Sequence, residues 1–205
     1  MIKICGMRDP DNIRDLIDLK PDLIGMIFHP GSPRYVSDPE KLVTVLKNRK
    51  GIKLVGVFVN EKKKRILELN RILNFDYVQL HGCETPAYCV DLKLHNIKVL
   101  KAFGISEEAD FEKLAPYTEC ADLFVFDTKT TQHGGSGRKF DWEVLNSYKG
   151  VTPFLLSGGI GPDDYPDIKN PAFAGVDLNS RFEVSPGVKD ISLLSNYLKK
   201  VRDDQ

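Results

Sequence analysis

The chain has 205 residues, 41% of them hydrophobic, enough for a full core in one domain spanning residues 1–205. Its 29 basic and 29 acidic residues cancel, so the formal net charge is zero, which argues against a general nucleic-acid or polyanion binder. No apolar run reaches the roughly 18 residues of a membrane span, and Met1-Ile-Lys-Ile-Cys-Gly enters a strand pattern with no signal peptide before it. The expectation is a cytoplasmic protein with no nucleic-acid and no membrane partner.

Apolar strand-like runs recur along the whole chain: Ile2–Cys5, Leu23–Phe28, Leu54–Val59, Tyr77–Leu80, Val99–Phe103, Leu123–Phe126, Pro153–Leu156 and Ala174–Leu178. Helical stripes fill most gaps: Ile13, Leu16 and Ile17; Leu42, Val45 and Leu46; Ile66, Leu69 and Leu73; and Ile191, Leu194, Leu198 and Val201. Asp9-Pro10 and Thr85-Pro86 read as N-cap plus N1 proline, and Ser37 to Glu40 has capping-box spacing. The basic run Lys62 to Arg65 opens a helix and reads as its solvated face. Pro166 makes the helix expected over 163–170 short or irregular. The sixth run ends at Asp127, and a polar, glycine-rich segment over 128–137 follows. Phe140, Trp142 and Leu145 then suggest a helix start.

Eight parallel β-α units of near-constant length, with a final helix to seal the seam, predict an α/β fold, a single (β/α)8 TIM barrel. An open doubly wound sheet is the alternative. In a barrel, chemistry sits at the C-terminal tips of the strands. Those tips carry Cys5-Gly6, the loop from Phe28 to Arg34, His81-Gly82, Asp127, Gly158-Gly159 and Asp177 to Arg181. Cys5, Cys83, Cys89 and Cys120 form no CxxC pair and the four histidines are scattered, so neither a zinc site nor a disulfide framework is expected.

Glycines after strand seven and a polar turn after strand eight match the phosphate site typical of this fold. Arg34 follows a proline-stiffened loop, where it either clamps a carboxylate or makes an ordinary surface ion pair. Cys5 and Asp127, from strands one and six, face one another across the mouth. A thiol and a carboxyl so placed can exchange protons with opposite sides of one small substrate. Unperturbed pKa values of about 8.5 and 3.9 would give the reverse protonation, so such a site has to push both toward neutrality.

Several motifs run in order from end to end of the chain: KICG (Lys3–Gly6), FxPxSPR (Phe28–Arg34), GVFVN (Gly56–Asn60), QLHG (Gln79–Gly82), FDT with GGSGxxFDW (Phe126–Trp142), LSGGI (Leu156–Ile160) and PGxKD (Pro186–Asp190). In these the chain resembles the phosphoribosylanthranilate isomerase family of tryptophan biosynthesis. The resemblance implies an Amadori rearrangement of N-(5-phosphoribosyl)anthranilate to the 1-deoxyribulose isomer, with Asp127 as general acid and Cys5 as general base. It implies Arg34 as the clamp on the anthranilate carboxylate, and Gly158, Gly159, Asn179 and Ser180 as phosphate-binding turns. Asp177 would contact ribose hydroxyls and His81 would line the site. No cofactor and no metal is implied, and the enzyme would be a monomer or homodimer acting on a small-molecule phosphoribosyl substrate.

One departure stands out. The family commonly has glycine after the Ser-Ser or Asn-Ser of the last turn, whereas Arg181 follows Asn179-Ser180 here. Two rivals remain open. The histidine-pathway isomerase performs the same rearrangement, but it would carry an aspartate at the first strand tip and a second phosphate half-site. A non-catalytic barrel could bind a sugar phosphate as a sensor, although retention of both Cys5 and Asp127 argues against it.

Overall fold

A computed structural model describes residues 1–128 and 141–203. Eight parallel strands close into a barrel in sequence order: β1 (Ile2–Ile4), β2 (Leu23–Ile27), β3 (Lys53–Phe58), β4 (Tyr77–Leu80), β5 (Lys98–Ile105), β6 (Leu123–Thr128), β7 (Phe154–Leu156) and β8 (Phe173–Leu178). The seam is the pairing of β1 with β8, where Lys3 lies opposite Asp177. All eight expected strands are present, with ends that differ by no more than two residues. β6 runs through Asp127 to Thr128.

Strands buried on both faces read as continuous apolar runs, because one face fills the barrel and the other meets the outer layer. Val55, Val57, Leu100, Ala102, Val125 and Leu155 pack inside the barrel with Cys5. Alternate residues point outward, and there Phe126 stacks on Phe154 with ring centroids 4.6 Å apart. Phe126 is wholly buried, so its truncation to alanine would remove about 3–5 kcal/mol.

The outer layer is regular in the first half of the chain. Asp9 caps α1 (Pro10–Asp18) by accepting from the Asn12 N–H at 2.8 Å, and Thr85 caps α4 (Pro86–Lys93) through Tyr88. Between them come α2 (Val43–Leu46) and α3 (Lys63–Leu73). The capping box expected at Ser37–Glu40 is absent. Asp38 makes no cap hydrogen bond and instead pairs with Lys41, and a 3-10 turn over Pro39–Leu42 precedes α2.

The second half departs from the repeat. A 3-10 helix over Glu108–Tyr117, containing Pro116, follows β5, and another over Trp142–Ser147 follows β6. Over 163–170 there is no helix at all. Pro162, Pro166 and Pro171 deny that segment the N–H donors a helical ladder needs. The GGSG part of the sixth connection and Phe140 lie outside the described residues. After β8 come a 3-10 turn (Ser180–Phe182) and an unforeseen hairpin, β9 (Glu183–Ser185) with β10 (Val188–Lys189). Helix α5 (Ile191–Asp203) then closes the chain. No helix among the described residues is long and apolar enough to cross a membrane.

Candidate active site

Side chains alternate along a strand, so Lys3 and Cys5 of the first unit share its inward face. Lys3 is wholly buried and donates to Asp177 Oδ2 at 2.6 Å. Burial works against the ammonium, but Asp177 and Cys5 outweigh it and hold the Lys3 pKa above its ordinary value. Cys5 is a buried free thiol. Burial pushes the Cys5 thiol up, while the charges of Lys3 and, less strongly, Lys189 pull against it and Asp177 adds to the rise. Desolvation of the thiolate thus outweighs the nearby ammonium groups, and the Cys5 thiol stands above its ordinary value, opposite to the shift toward neutrality that a proton-transfer site has to impose. Burial likewise pushes the Asp177 carboxyl up, against the pull of Lys3. Its second oxygen, Oδ1, is buried and has no partner among the described residues.

Asp127 and His81 stand on neighbouring parts of the same mouth. His81 Nε2 lies 3.4 Å from Asp127 Oδ2, while its Nδ1 meets Gln79 Nε2 at 3.3 Å. The loop bearing His81 is anchored from behind the wall. Lys101 Nζ, buried, donates to the carbonyls of Leu80 and Gly82 and to Glu84. Glu84 in turn accepts from the Asn60 and Gly82 N–H groups. A buried ion pair survives only when its remaining valences are met, as these are. Asp127 Oδ1 accepts from the Thr128 N–H at 2.8 Å and packs on Gly158. Gly158 has φ +89°, and a Cβ there would sit 2.5 Å from that oxygen, so the turn after β7 tolerates little but glycine.

Arg34 reaches across to the hairpin. Its Nε and Nη2 grip Glu183 bidentately, at 2.9 Å and 2.6 Å to the nearer oxygens. Glu183 also accepts from Lys189 Nζ at 2.6 Å, and Lys189 continues to Asn179 Oδ1 at 2.8 Å. Burial opposes the Glu183 charge, but Arg34 and Lys189 overcome it and hold its carboxyl below the ordinary range. Two cations thus share one carboxylate, leaving a surplus positive charge at the mouth. Nη1 of Arg34 has no hydrogen-bond partner among the described residues. The stem of Arg34 and the amide of Asn179 both rest on Gly6, where a Cβ would lie 2.6 Å from one and 2.7 Å from the other.

On the opposite rim, Gly158 and Gly159 have φ of +89° and +72°, turning the chain sharply after β7. The N–H groups of Gly158, Gly159 and Ser180 donate to nothing among the described residues. Arg181 is exposed and leans from the β8 turn toward the β7 turn, its Nε 4.0 Å from where a Gly161 Cβ would be. The nine residues singled out from sequence therefore gather at the C-terminal mouth. Sequence reasoning gave no role to Lys3, Glu183 or Lys189. For Lys3 the available signal was a charged residue on the inner face of a strand otherwise built for a core; Glu183 and Lys189, on the hairpin, gave none.

A parallel eight-stranded barrel whose mouth carries a thiol, a carboxyl, a guanidinium and unpartnered turn amides has the build of a TIM-barrel enzyme. More particularly, the chain belongs to the family of N-(5'-phosphoribosyl)anthranilate (PRA) isomerases, whose family model matches residues 2–200. A relative from Parabacteroides distasonis, named N-(5'-phosphoribosyl)anthranilate isomerase, is 44% identical over 205 residues, covering 98% of this chain and 93% of that protein. The phosphoribosyl anthranilate isomerase of Thermotoga maritima superposes with a TM-score of 0.86 at 32% identity, covering 98% of each chain. A phosphoribosyl anthranilate isomerase in complex with reduced 1-(o-carboxyphenylamino)-1-deoxyribulose 5-phosphate gives a TM-score of 0.84 at 30% identity, again covering 98% of each. The chain is accordingly an isomerase with a TIM-barrel fold.

Proposed function

We propose that the whole chain, 1–205, is one catalytic barrel that converts N-(5-phosphoribosyl)anthranilate to 1-(2-carboxyphenylamino)-1-deoxyribulose 5-phosphate in tryptophan biosynthesis, with Cys5 and Asp127 as the proton-transfer pair. Asp127 gives a proton to the ribose ring oxygen, the C1–O bond breaks, and the anthranilate nitrogen takes up the positive charge as a Schiff base. Cys5 then removes the C2 proton. The electron pair moves into C1–C2 and quenches the iminium, and the enolamine tautomerises to the ketone. The substrate nitrogen is the electron sink.

The observation that supports this reading is a buried thiol just past β1 and a carboxyl near the end of β6 at one barrel mouth, with anion-binding groups beside them. The Arg34–Lys189 charge surplus suits the anthranilate carboxylate. The unpartnered amides of Gly158, Gly159 and Ser180, with Asn179 beside them, suit the phosphate. The orphaned Oδ1 of Asp177 suits a ribose hydroxyl, since a buried acceptor without a donor is costly. His81 lines the site between Asp127 and Gln79. A cationic Schiff base forming beside Cys5 would itself stabilise the thiolate that burial disfavours.

The test is to supply phosphoribosylanthranilate to the purified protein and follow the loss of its fluorescence. Turnover to the ketone without added cofactor is expected. Tight binding without turnover would instead make the protein a sugar-phosphate sensor.

A further inference from the structure

Cys5 has a charged neighbour on its own strand. Lys3 lies two residues earlier on the same inward face and is wholly buried. Both side chains lean over Gly25 of β2. A Cβ at Gly25 would lie 2.8 Å from Cys5 Sγ and 3.2 Å from Lys3 Cε, so sulfur and lysine terminus meet above the bare Cα of the adjoining strand. An ammonium has three N–H donors, and Asp177 Oδ2 is its partner in the ion pair at 2.6 Å. A buried ammonium with donors beyond its one ion pair favours a second acceptor beside it.

The other charges facing Cys5 are Asp177 on β8 and Lys189 on β10. Lys189 is already engaged by Glu183 and Asn179. Asp177, which also faces Asp127 and His81, repels a thiolate. Lys3 alone combines the right sign with donors to spare.

We propose that Lys3 is a positioning residue for Cys5: tethered by Asp177, its ammonium stands where it balances the sulfur once the thiol has lost its proton. The inference rests on Cys5 being the base. It assigns the Lys3–Asp177 pair a purpose beyond closing the β1–β8 seam. The Asp177 carboxylate fixes the ammonium, and the positive end of the pair faces the sulfur. A charge-assisted N–H···S⁻ contact then offsets the desolvation that keeps the resting thiol protonated.

The test compares Lys3→Met with the double variant Lys3→Met/Asp177→Asn, which leaves no unpaired buried charge and guards against misfolding of the single variant. Thiolate absorbance near 240 nm is titrated in each, subtracting the matching Cys5→Ser protein to isolate this one sulfur. The expected result is a Cys5 midpoint in Lys3→Met raised by about one pH unit or more over wild type, which is about tenfold less thiolate at a fixed pH, and a midpoint in the double variant raised likewise over Asp177→Asn, because removing Asp177 also removes its repulsion of the thiolate. In Lys3→Met, kcat should fall to the same degree at neutral pH and recover as pH rises toward the new midpoint. A midpoint that does not move in folded Lys3→Met against wild type, or in the folded double variant against Asp177→Asn, overturns the proposal. A loss of kcat equal at every pH also overturns it, since that is the mark of a merely structural lysine. A raised midpoint that the activity profile ignores would remove Cys5 from the role of base, and the proposal would fall with that assignment.

Discussion

Arg34 and Glu183, 149 residues apart in sequence, meet edge to edge: the Nε–Nη2 side of the guanidinium is closed by the carboxylate. The Nη1 end is left for another anion, and Lys189 on the far side of Glu183 keeps the cluster net positive. A rigid fork with one edge held in place loses less entropy on binding a second carboxylate than a free arginine would.

Arg34→Ala should therefore weaken kcat/KM by about 2–5 kcal/mol, the range for stripping one partner from a buried charge pair. Arg34→Lys should rescue only part, because an ammonium cannot serve both carboxylates in the fork geometry. Steady-state kinetics on phosphoribosylanthranilate decide it, and an unchanged kcat/KM in Arg34→Ala would place the side chain outside the site.

The same cluster sets an acid limit on stability. Because Glu183 is held below its ordinary pKa, its contribution is complete above about pH 4.3 and is lost as pH falls through its lower folded value. Glu183→Gln should remove that dependence, which acid unfolding curves of the two proteins would reveal. Parallel curves for wild type and variant would contradict the assignment.

Gly158→Ala should damage the acid more than the fold. The added methyl group meets Asp127 Oδ1 and Thr128, and the residue must also hold φ +89°. The backbone strain costs about 1–2 kcal/mol in stability. The displacement of Asp127 should appear as a fall in kcat of tenfold or more, as about 1.4 kcal/mol of lost transition-state stabilisation would give. Thermal unfolding and kcat measured on one preparation separate the two effects. Full kcat in the variant would show that Asp127 need not sit against this turn.

Arg181 leans from the β8 turn toward the β7 turn, at the position where the family resemblance leads one to expect glycine. If its guanidinium assists the phosphate, Arg181→Gly should raise KM and flatten the dependence of KM on salt. KM values at low and high ionic strength test this. A variant whose KM matches wild type at both would leave Arg181 as a tolerated substitution.

The barrel was legible because parallel strands buried on both faces leave uninterrupted apolar runs, and Cys5 and Asp127 end two of them. The outer layer was less so. Proline-bearing segments such as 108–117 and 163–170 carry partial helical patterns that their missing N–H donors do not let them complete. Lys3, Glu183 and Lys189 escaped notice for another reason: their roles come from partners brought by closure. Lys3 finds Asp177 only when β1 zips onto β8, and Glu183 meets Arg34 only after the hairpin folds over the mouth.

The central claim is that Cys5 and Asp127 act as base and acid, each worth about 10²–10⁴-fold in rate. Cys5→Ser keeps size but leaves almost no conjugate base at neutral pH, and Asp127→Asn keeps shape but has no acidic proton to give. The kcat/KM profile of wild type should be bell-shaped, its limbs belonging to the coupled pair, with the acidic limb absent in Cys5→Ser. The most direct measurement is kcat of folded Cys5→Ser and Asp127→Asn on phosphoribosylanthranilate, alongside the affinity of each for a reduced product analogue. The account predicts near-normal affinity and a kcat at or below about one hundredth of wild type in both. A Cys5→Ser enzyme retaining more than about a tenth of wild-type kcat would contradict it, because a base worth the ~10²-fold minimum cannot be so dispensable.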